Sequence, residues 1–361
     1  MNFYQQRAVD ISTEGHNLLL LGRAGTGKSF VLKEIVKRLR NKGKTVQITC
    51  STGIACCVYD ENACTIHQFT GISDGRHGPG EIVDVVKNNR KYEYVLDNIS
   101  KVDTVILDEC SMISQKLFDT INNVCKIKDP KRPFGGIQMI FCGDFLQLPP
   151  VENLPYGDSG RYCFESNDFS TCFPHRVVLE ENMRQSESKL MQTINGVFDG
   201  HVSPDMENFI AKLNRPLDNL TSHTVKLFAR NDLVDDYNRQ CLLEFPGSMY
   251  EYKSEDSGNA SDLSKISVPS ILWLKIGCPV ILMRNLSNQL VNGLQGFVKD
   301  ILEGSGPVIE FPSINITRTI PKISFTVYSP RLNRDLATRQ QYPLKPAFGL
   351  TIHKAQGMTL E

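Results

Sequence analysis

The sequence predicts an α/β protein built on a doubly wound parallel sheet, with a smaller β-rich part toward the C-terminal end. Three observations carry this expectation. Short apolar runs alternate with helical patterns through the first half, and strands separated by helices pair in parallel. A glycine-rich turn, Gly22-Arg23-Ala24-Gly25-Thr26-Gly27-Lys28-Ser29, joins one such run to one such helix. Past Ile276 the pattern changes to short β-like runs broken by Gly, Asn and Pro, the spacing of a small barrel or sandwich.

Taken in order, Leu18–Leu21, Thr45–Thr49, Thr104–Leu107 and Gln138–Cys142 each read as a buried strand. Between the first two, apolar residues at 31, 32, 35, 36 and 39 mark a helix over Phe30–Arg40, ended by Asn41-Lys42-Gly43. Leu117, Phe118, Ile121 and Val124 share one face of a helix within Ser114–Ile127. From Thr70 to Asp97 the pattern loosens around Gly71, Gly75, Gly78 and Gly80, and one amphipathic piece, Ile82–Val86, suggests a small insertion. Ser254–Ser264 is polar and reads as a loop. Pro279–Met283, Gly296–Ile301, Val308–Phe311 and Ile323–Val327 are the β-like runs, and Phe348–Ile352 returns to a buried-strand pattern.

A chain of 361 residues exceeds one ordinary core. Its 40% apolar and 22% charged residues suit a globular fold, and no apolar stretch is long enough to span a bilayer. The start, MNFYQQRAVD, has neither a secretory signal nor the Arg-rich look of a transit peptide. Eleven scattered cysteines without C-x-x-C spacing argue for buried reduced thiols and against a zinc finger. Lys plus Arg and Asp plus Glu balance at 40 each, so the composition does not by itself indicate a protein that coats nucleic acid.

The glycine-rich turn fits G-x-x-x-x-G-K-[ST]. Its glycines let consecutive backbone N–H groups curl around a phosphate, with Gly22, Ala24, Gly25, Thr26 and Gly27 forming the cradle. Lys28 reaches the β- and γ-phosphates, Ser29 offers a hydroxyl to Mg²⁺, and the helix adds its positive end. The second requirement is a carboxylate for the metal. Val105-Ile106-Leu107-Asp108-Glu109 supplies an acidic pair at a strand end, where ligands of open α/β sheets lie. Asp108 is placed to hold Mg²⁺ and Glu109 to orient and deprotonate water. Alone, such a pair is an ordinary solvated strand end; behind a phosphate loop it gains meaning. A third strand runs into Gly143-Asp144-Phe145-Leu146-Gln147-Leu148-Pro149-Pro150, where Gln147 is positioned to sense a γ-phosphate. Without the other motifs this too is a plain turn. These residues indicate an NTP-hydrolysing motor or switch.

The wording of seven segments goes further. GRAGTGKS, STGIA (Ser51–Ala55), TIHQFTGI (Thr65–Ile72), ILDECSMIS (Ile106–Ser114), PFGGIQMIFCGDFLQLPPV (Pro133–Val151), ENMRQ (Glu181–Gln185) and LTIHKAQGMTLE (Leu350–Glu361) follow one another in helicase order. Together they resemble the petite-integration-frequency (Pif-type) DNA helicases of superfamily one, relatives of RecD. Ser111–Gly136 is similar to that family's own signature region, and Leu274–Val298 to its second-domain insertion. The likeness covers nearly the whole chain.

The resemblance implies tandem RecA-like P-loop NTPase domains with small insertions, the second domain carrying a β-rich, barrel-like insertion. It places the first domain at 1–181, with an insertion at about 70–97. The second falls at 182–273 and 345–361, incomplete at its C-terminal end, and the β-rich insertion at 274–344. It implies an ATP- and Mg²⁺-dependent enzyme that walks 5′ to 3′ on single-stranded DNA and unwinds forked or structured DNA, in the nucleus or mitochondrion, with no membrane partner. Gln6 matches the glutamine that reads adenine. Thr52, His67 and His353 fall where the family touches or couples to the DNA strand, and Phe145 where an aromatic contacts a base. Arg184 matches the arginine that reaches the γ-phosphate; Gln356 and Gly357 belong to the motif joining DNA grip to the nucleotide cleft. Each of these residues taken singly has an ordinary structural explanation, and only their order singles them out. The family continues past HKAQGMTL to a further arginine motif, which leads to the expectation that this chain binds ATP but hydrolyses it poorly. The alternative expectation is a nucleotide-gated single-strand-binding module or inactive remnant.

Overall fold

The chain enters through helix α1 (Phe3–Thr13), capped by the Asn2 side chain, and reaches strand β1 (Leu18–Gly22). The computed structural model describes all residues except 60–61, 182, 184–187, 216–223, 288, 303, 330–331, 333 and 356–361. Two compact units result, one formed by 1–51 and 66–220, the other by 52–65 and 221–361.

In the first unit β1 is followed by α2 (Lys28–Asn41), β2 (Val46–Cys50), α3 (Ile66–Thr70), α4 (Glu81–Asn88), α5 (Glu93–Lys101) and β3 (Thr104–Asp108). Then come α6 (Gln115–Cys125), β4 (Gln138–Gly143), β5 (His175–Leu179), α7 (Ser188–Phe198) and α8 (Pro204–Leu213). The parallel strands lie side by side in the order β2-β3-β4-β1-β5. All six residues of β4 are buried, which is why that strand reads as an apolar run without alternation. Phe118, Phe134, Phe141, Phe169 and Phe173 interlock below the sheet with ring centroids 4.7–6.3 Å apart.

In the second unit β6 (Lys226–Phe228), α9 (Asn231–Glu244), β7 (Tyr250–Lys253), β8 (Glu255–Gly258) and β9 (Ile271–Leu274) lead into the β-rich part. There β10 (Pro279–Leu282), β11 (Gln295–Leu302), β12 (Gly306–Phe311), β13 (Ile316–Thr319), β14 (Ile323–Ser329), β15 (Arg334–Gln341) and β16 (Leu344–Pro346) follow. They build an antiparallel sheet, β13-β12-β11-β10-β16, and a three-stranded sheet, β14-β15-β8. Finally β17 (Gly349–Thr351) pairs in parallel with β6, and α10 (Ile352–Ala355) follows it. The Asn238 side chain clamps that pair, accepting from Gly349 N at 2.7 Å and donating to its carbonyl at 3.1 Å.

Two expectations need correction. First, Ser254–Ser264 is no loop: it holds β8 and a short helix, Ala260–Leu263. All four residues of β8 are exposed, so no alternation betrays the strand; pairing with β15 and the Arg339–Asp256 ion pair at 2.7 Å hold it. Second, the insertion contains a second helix, α5, whose buried Val95 and Ile99 are too few to stand out by period. The first compact unit runs on past 181 to residue 220. Helices α7 and α8 belong with the first unit, where Arg23 of the glycine-rich turn donates to Asn195 at 2.7 Å and to Asp199 at 3.0 Å. In the second unit Leu242, Leu272 and Leu274 share one core with Val280, Leu282 and Phe311.

Candidate active site

The glycine-rich turn is shaped by its sequence. Gly25 and Gly27 take φ of +84° and +86°, the left-handed region that a side chain makes costly. A Cβ on Gly22 would stand 2.6 Å from Thr26 Oγ1, so the strand end tolerates nothing larger. Thr26 Oγ1 ties the turn by donating to the Arg23 carbonyl at 2.8 Å. The Lys28 ammonium folds back over the turn, donating to the carbonyls of Gly22 at 2.6 Å and Arg23 at 3.2 Å. Ser29, next along α2, is exposed.

The acidic pair ends β3, one strand away from β1, with β4 between. The Asp108 carboxylate accepts from Glu109 N at 2.9 Å, and its carbonyl accepts from Ser51 N at 3.2 Å. Glu109 has φ +57°, a strained conformation for a non-glycine residue that breaks the strand sharply. Cys142 of β4 reports on both sides of the site. Burial pushes its thiol far above the ordinary range; the Asp108 carboxylate adds to the rise and the Lys28 ammonium opposes it. Both charges act on one buried residue of the strand between the loop and the acidic pair. A Cβ on Gly143 would stand 2.9 Å from Cys110 Sγ, so glycine lets the ends of β3 and β4 approach.

Beyond Gly143, the buried Asp144 carboxylate accepts from Leu146 N at 3.1 Å and from Gln147 Nε2 at 3.3 Å. Gln147 braces this turn in the structure. Phe145 meets Phe164 edge-on at 4.9 Å and Tyr162 at 5.9 Å. His67 sits on α3, and burial lowers its basicity. With Ser51, Ser114, Lys116 and Asp158 it lines a cavity of about 220 Å³.

The glutamine beside the phosphate loop is Gln5, not Gln6. Gln5 is 1% exposed, and its Nε2 donates to the Thr26 carbonyl at 3.3 Å. Gln6 points along the outer face of α1 and donates to Asp10 Oδ1 at 2.7 Å. The helical period was the signal: Gln5 shares the buried face with Ala8, Val9 and Ser12, and Gln6 falls off it. Sequence reasoning also missed Arg23, whose guanidinium lies 5.4 Å over the Phe198 ring besides bonding α7.

In the second unit Thr52 caps the short helix Gly53–Cys56, its Oγ1 accepting from Ala55 N at 3.4 Å. His353 lies exposed on α10. Arg184, Gln356 and Gly357 lie outside the described residues.

Among the described residues no group of three or more His, Cys, Asp or Glu is arranged around a metal. The hydroxyl of Ser29 and the carboxylate of Asp108 still fit Mg²⁺, which binds hard oxygens and takes most of its shell from water and phosphate. None of the eleven cysteines is in a disulfide, eight of them are buried, and burial pushes Cys125, Cys163 and Cys172 up to about 12. No helix of the described residues is long and apolar enough to cross a membrane.

Comparison with known proteins points to one family. A family model for PIF1-like helicases matches residues 4–200, and one for the 2B domain of the DNA helicase Pif1 matches 263–301. The chain is 34% identical over 364 residues to the human ATP-dependent DNA helicase PIF1, covering 96% of this chain and 54% of the relative. The zebrafish protein of that name is 31% identical over 375 residues, at 99% and 55% coverage. This chain therefore spans about half the length of the curated relatives it matches. Among solved structures, the Pif1 helicase from Candida albicans superposes with a TM-score of 0.79 at 30% identity, covering 100% of this chain and 87% of that one. A Bacteroides Pif1 helicase in complex with ADP-AlF3 and single-stranded DNA superposes at 0.82 and 25% identity, covering 99% and 84%.

Proposed function

The chain belongs to the PIF1-like helicase family, and from that premise we propose that it is an ATP- and Mg²⁺-dependent motor. It walks 5′ to 3′ on single-stranded DNA and separates forked or structured duplexes, in a DNA-containing compartment, nucleus or mitochondrion. The observation that supports this most is the phosphate loop and the acidic pair on one edge of one parallel sheet, with a single strand between them.

In this reading the amides of 22–28 hold the phosphates of ATP, and Lys28 exchanges its loop carbonyls for phosphate oxygens. Ser29 and Asp108 hold Mg²⁺, which when bound neutralises charge on the transferring phosphoryl group. Glu109, turned out of the strand by its backbone, orients the attacking water and takes its proton. Gln5 takes the adenine-side place first expected of Gln6, since it is the glutamine that touches the loop. Gln147 acts through the Asp144 turn. The family motifs assign Arg184 to the γ-phosphate and Gln356 and Gly357 to the link between DNA grip and nucleotide, and Thr52, His67, Phe145 and His353 to contacts with the DNA strand. Burial lowers the basicity of the His67 ring and so favours its neutral form.

ATP turnover with and without an oligothymidylate, together with unwinding of 5′-tailed and 3′-tailed duplexes, tests this. DNA-stimulated turnover and unwinding from the 5′ tail alone are expected. Turnover that ignores DNA refutes the motor reading.

A further inference from the structure

Phe145 does not stand alone. Tyr162 and Phe164, two residues apart, flank Cys163, which is fully buried. Their rings lie 4.9 Å apart and 12° from parallel, an offset stack. Phe145 abuts this stack edge-on, at 89° to Phe164 and 87° to Tyr162. Phe164 remains 45% exposed, whereas Phe118, Phe134, Phe141 and Phe173 of the core are closed to solvent.

The backbone beneath this stack is firmly held. Gln115 N donates to the Arg161 carbonyl at 2.8 Å and Cys163 N to the Ile113 carbonyl at 3.2 Å. Arg161 pairs with Glu165 at 2.9 Å. An exposed ring on so rigid a mount loses little entropy when something stacks on it. On its other side Phe145 lines a cavity of about 490 Å³ whose walls include Gly22 and Thr26 of the phosphate loop and Asp144. One aromatic residue thus adjoins both the nucleotide loop and the outer ring stack.

We propose that Tyr162 and Phe164 complete a three-ring base-stacking platform with Phe145, and that a base of single-stranded DNA lies on the open face of Phe164. Phe145 is the strut between this platform and the phosphate loop. The assignment rests on the reading of the chain as a single-strand motor and adds to it the residues that hold the base. A nucleobase is the fitting occupant because a flat apolar face accepts any base, as a stepping motor requires. The platform is also continuous with Phe145, which the proposed function assigns to the strand.

The test measures binding of fluorescent dT12 by the full chain, by F164A, F164L, F164W and F145A, across a range of salt concentrations, with melting curves as the control for folding. F164A is expected to weaken binding by about 5- to 150-fold. F164W restores it, and F164L, which keeps bulk without a ring, does not. The slope of log affinity against log salt stays unchanged, because no phosphate contact is lost. An abasic strand of equal length binds wild type and F164A alike. Wild-type affinity in F164L or F164A overturns the platform while F145A still reports on Phe145. If the wild-type chain itself ignores dT12, the motor reading falls instead. Unchanged DNA affinity with loss of self-association in sedimentation gives the patch to a second copy of the chain and also overturns the proposal.

Discussion

Replacing Gln5 separates the geometry from the pattern match. The Gln5 amide makes two hydrogen bonds that reach outside its own side chain. Its Nε2 donates to the Thr26 carbonyl at 3.3 Å, and its Oε1 accepts from Asn2 N at 3.1 Å. In Gln5→Leu the bulk stays and both bonds go. Each is worth about 0.5–1.5 kcal/mol net, so roughly 1–3 kcal/mol of local stability is lost at the mouth of the loop. A Cβ placed on Gly27 would lie 2.8 Å from Gln5 Nε2, which shows how closely the amide supports the turn. ATP affinity, read with a fluorescent nucleotide analogue, should fall by about tenfold, the equivalent of 1.4 kcal/mol. Gln6→Ala is the matched control. Its partner Asp10 is one turn away on the exposed face of α1, a pair worth about 0.2–0.5 kcal/mol, so nucleotide affinity should hold. Loss of nucleotide binding in Gln6→Ala with retention in Gln5→Leu refutes the reasoning and returns the role to Gln6.

Lys28→Ala should cut turnover by about 10²–10³ and weaken ATP binding, as measured by steady-state hydrolysis and nucleotide titration. Glu109→Gln should leave nucleotide affinity unchanged while turnover drops by about 10²–10⁴; persistent hydrolysis moves water activation to another residue. Phe145→Ala should loosen oligonucleotide binding equally for all base sequences, and unchanged affinity in anisotropy assigns the ring to packing alone. The Arg339 guanidinium beside Asp256 holds that carboxyl below its ordinary value. The unfolded chain therefore takes up the proton first. The stability from this pair is present above the ordinary aspartate value of about 3.9 and is lost as pH falls through the lower folded value. Asp256→Asn should lower the melting temperature at pH 7 and flatten its decline at acid pH, with a loss of about 1 kcal/mol or less at neutral pH because the strand is exposed to screening solvent.

Where a feature is local, the sequence by itself determined it. The strand–turn–helix around Gly22, the acidic end of β3 and the short strands past Ile276 follow from runs, periods and glycines that act within a few residues. Tertiary structure alone decided what depends on distant partners. The choice of Gln5 over Gln6 turns on which face of α1 meets the loop, and Thr26 lies 21 residues away. Polar strand β8 exists because β15 pairs with it and Arg339 reaches across to Asp256, 83 residues earlier. Helix α7 joins the first unit through Arg23, 172 residues from Asn195. The ring stack of Tyr162 and Phe164 against Phe145 has no periodic signature either. Hydrogen bonds and ring contacts between remote residues depend on the folded path of the chain, and a linear pattern carries no record of that path.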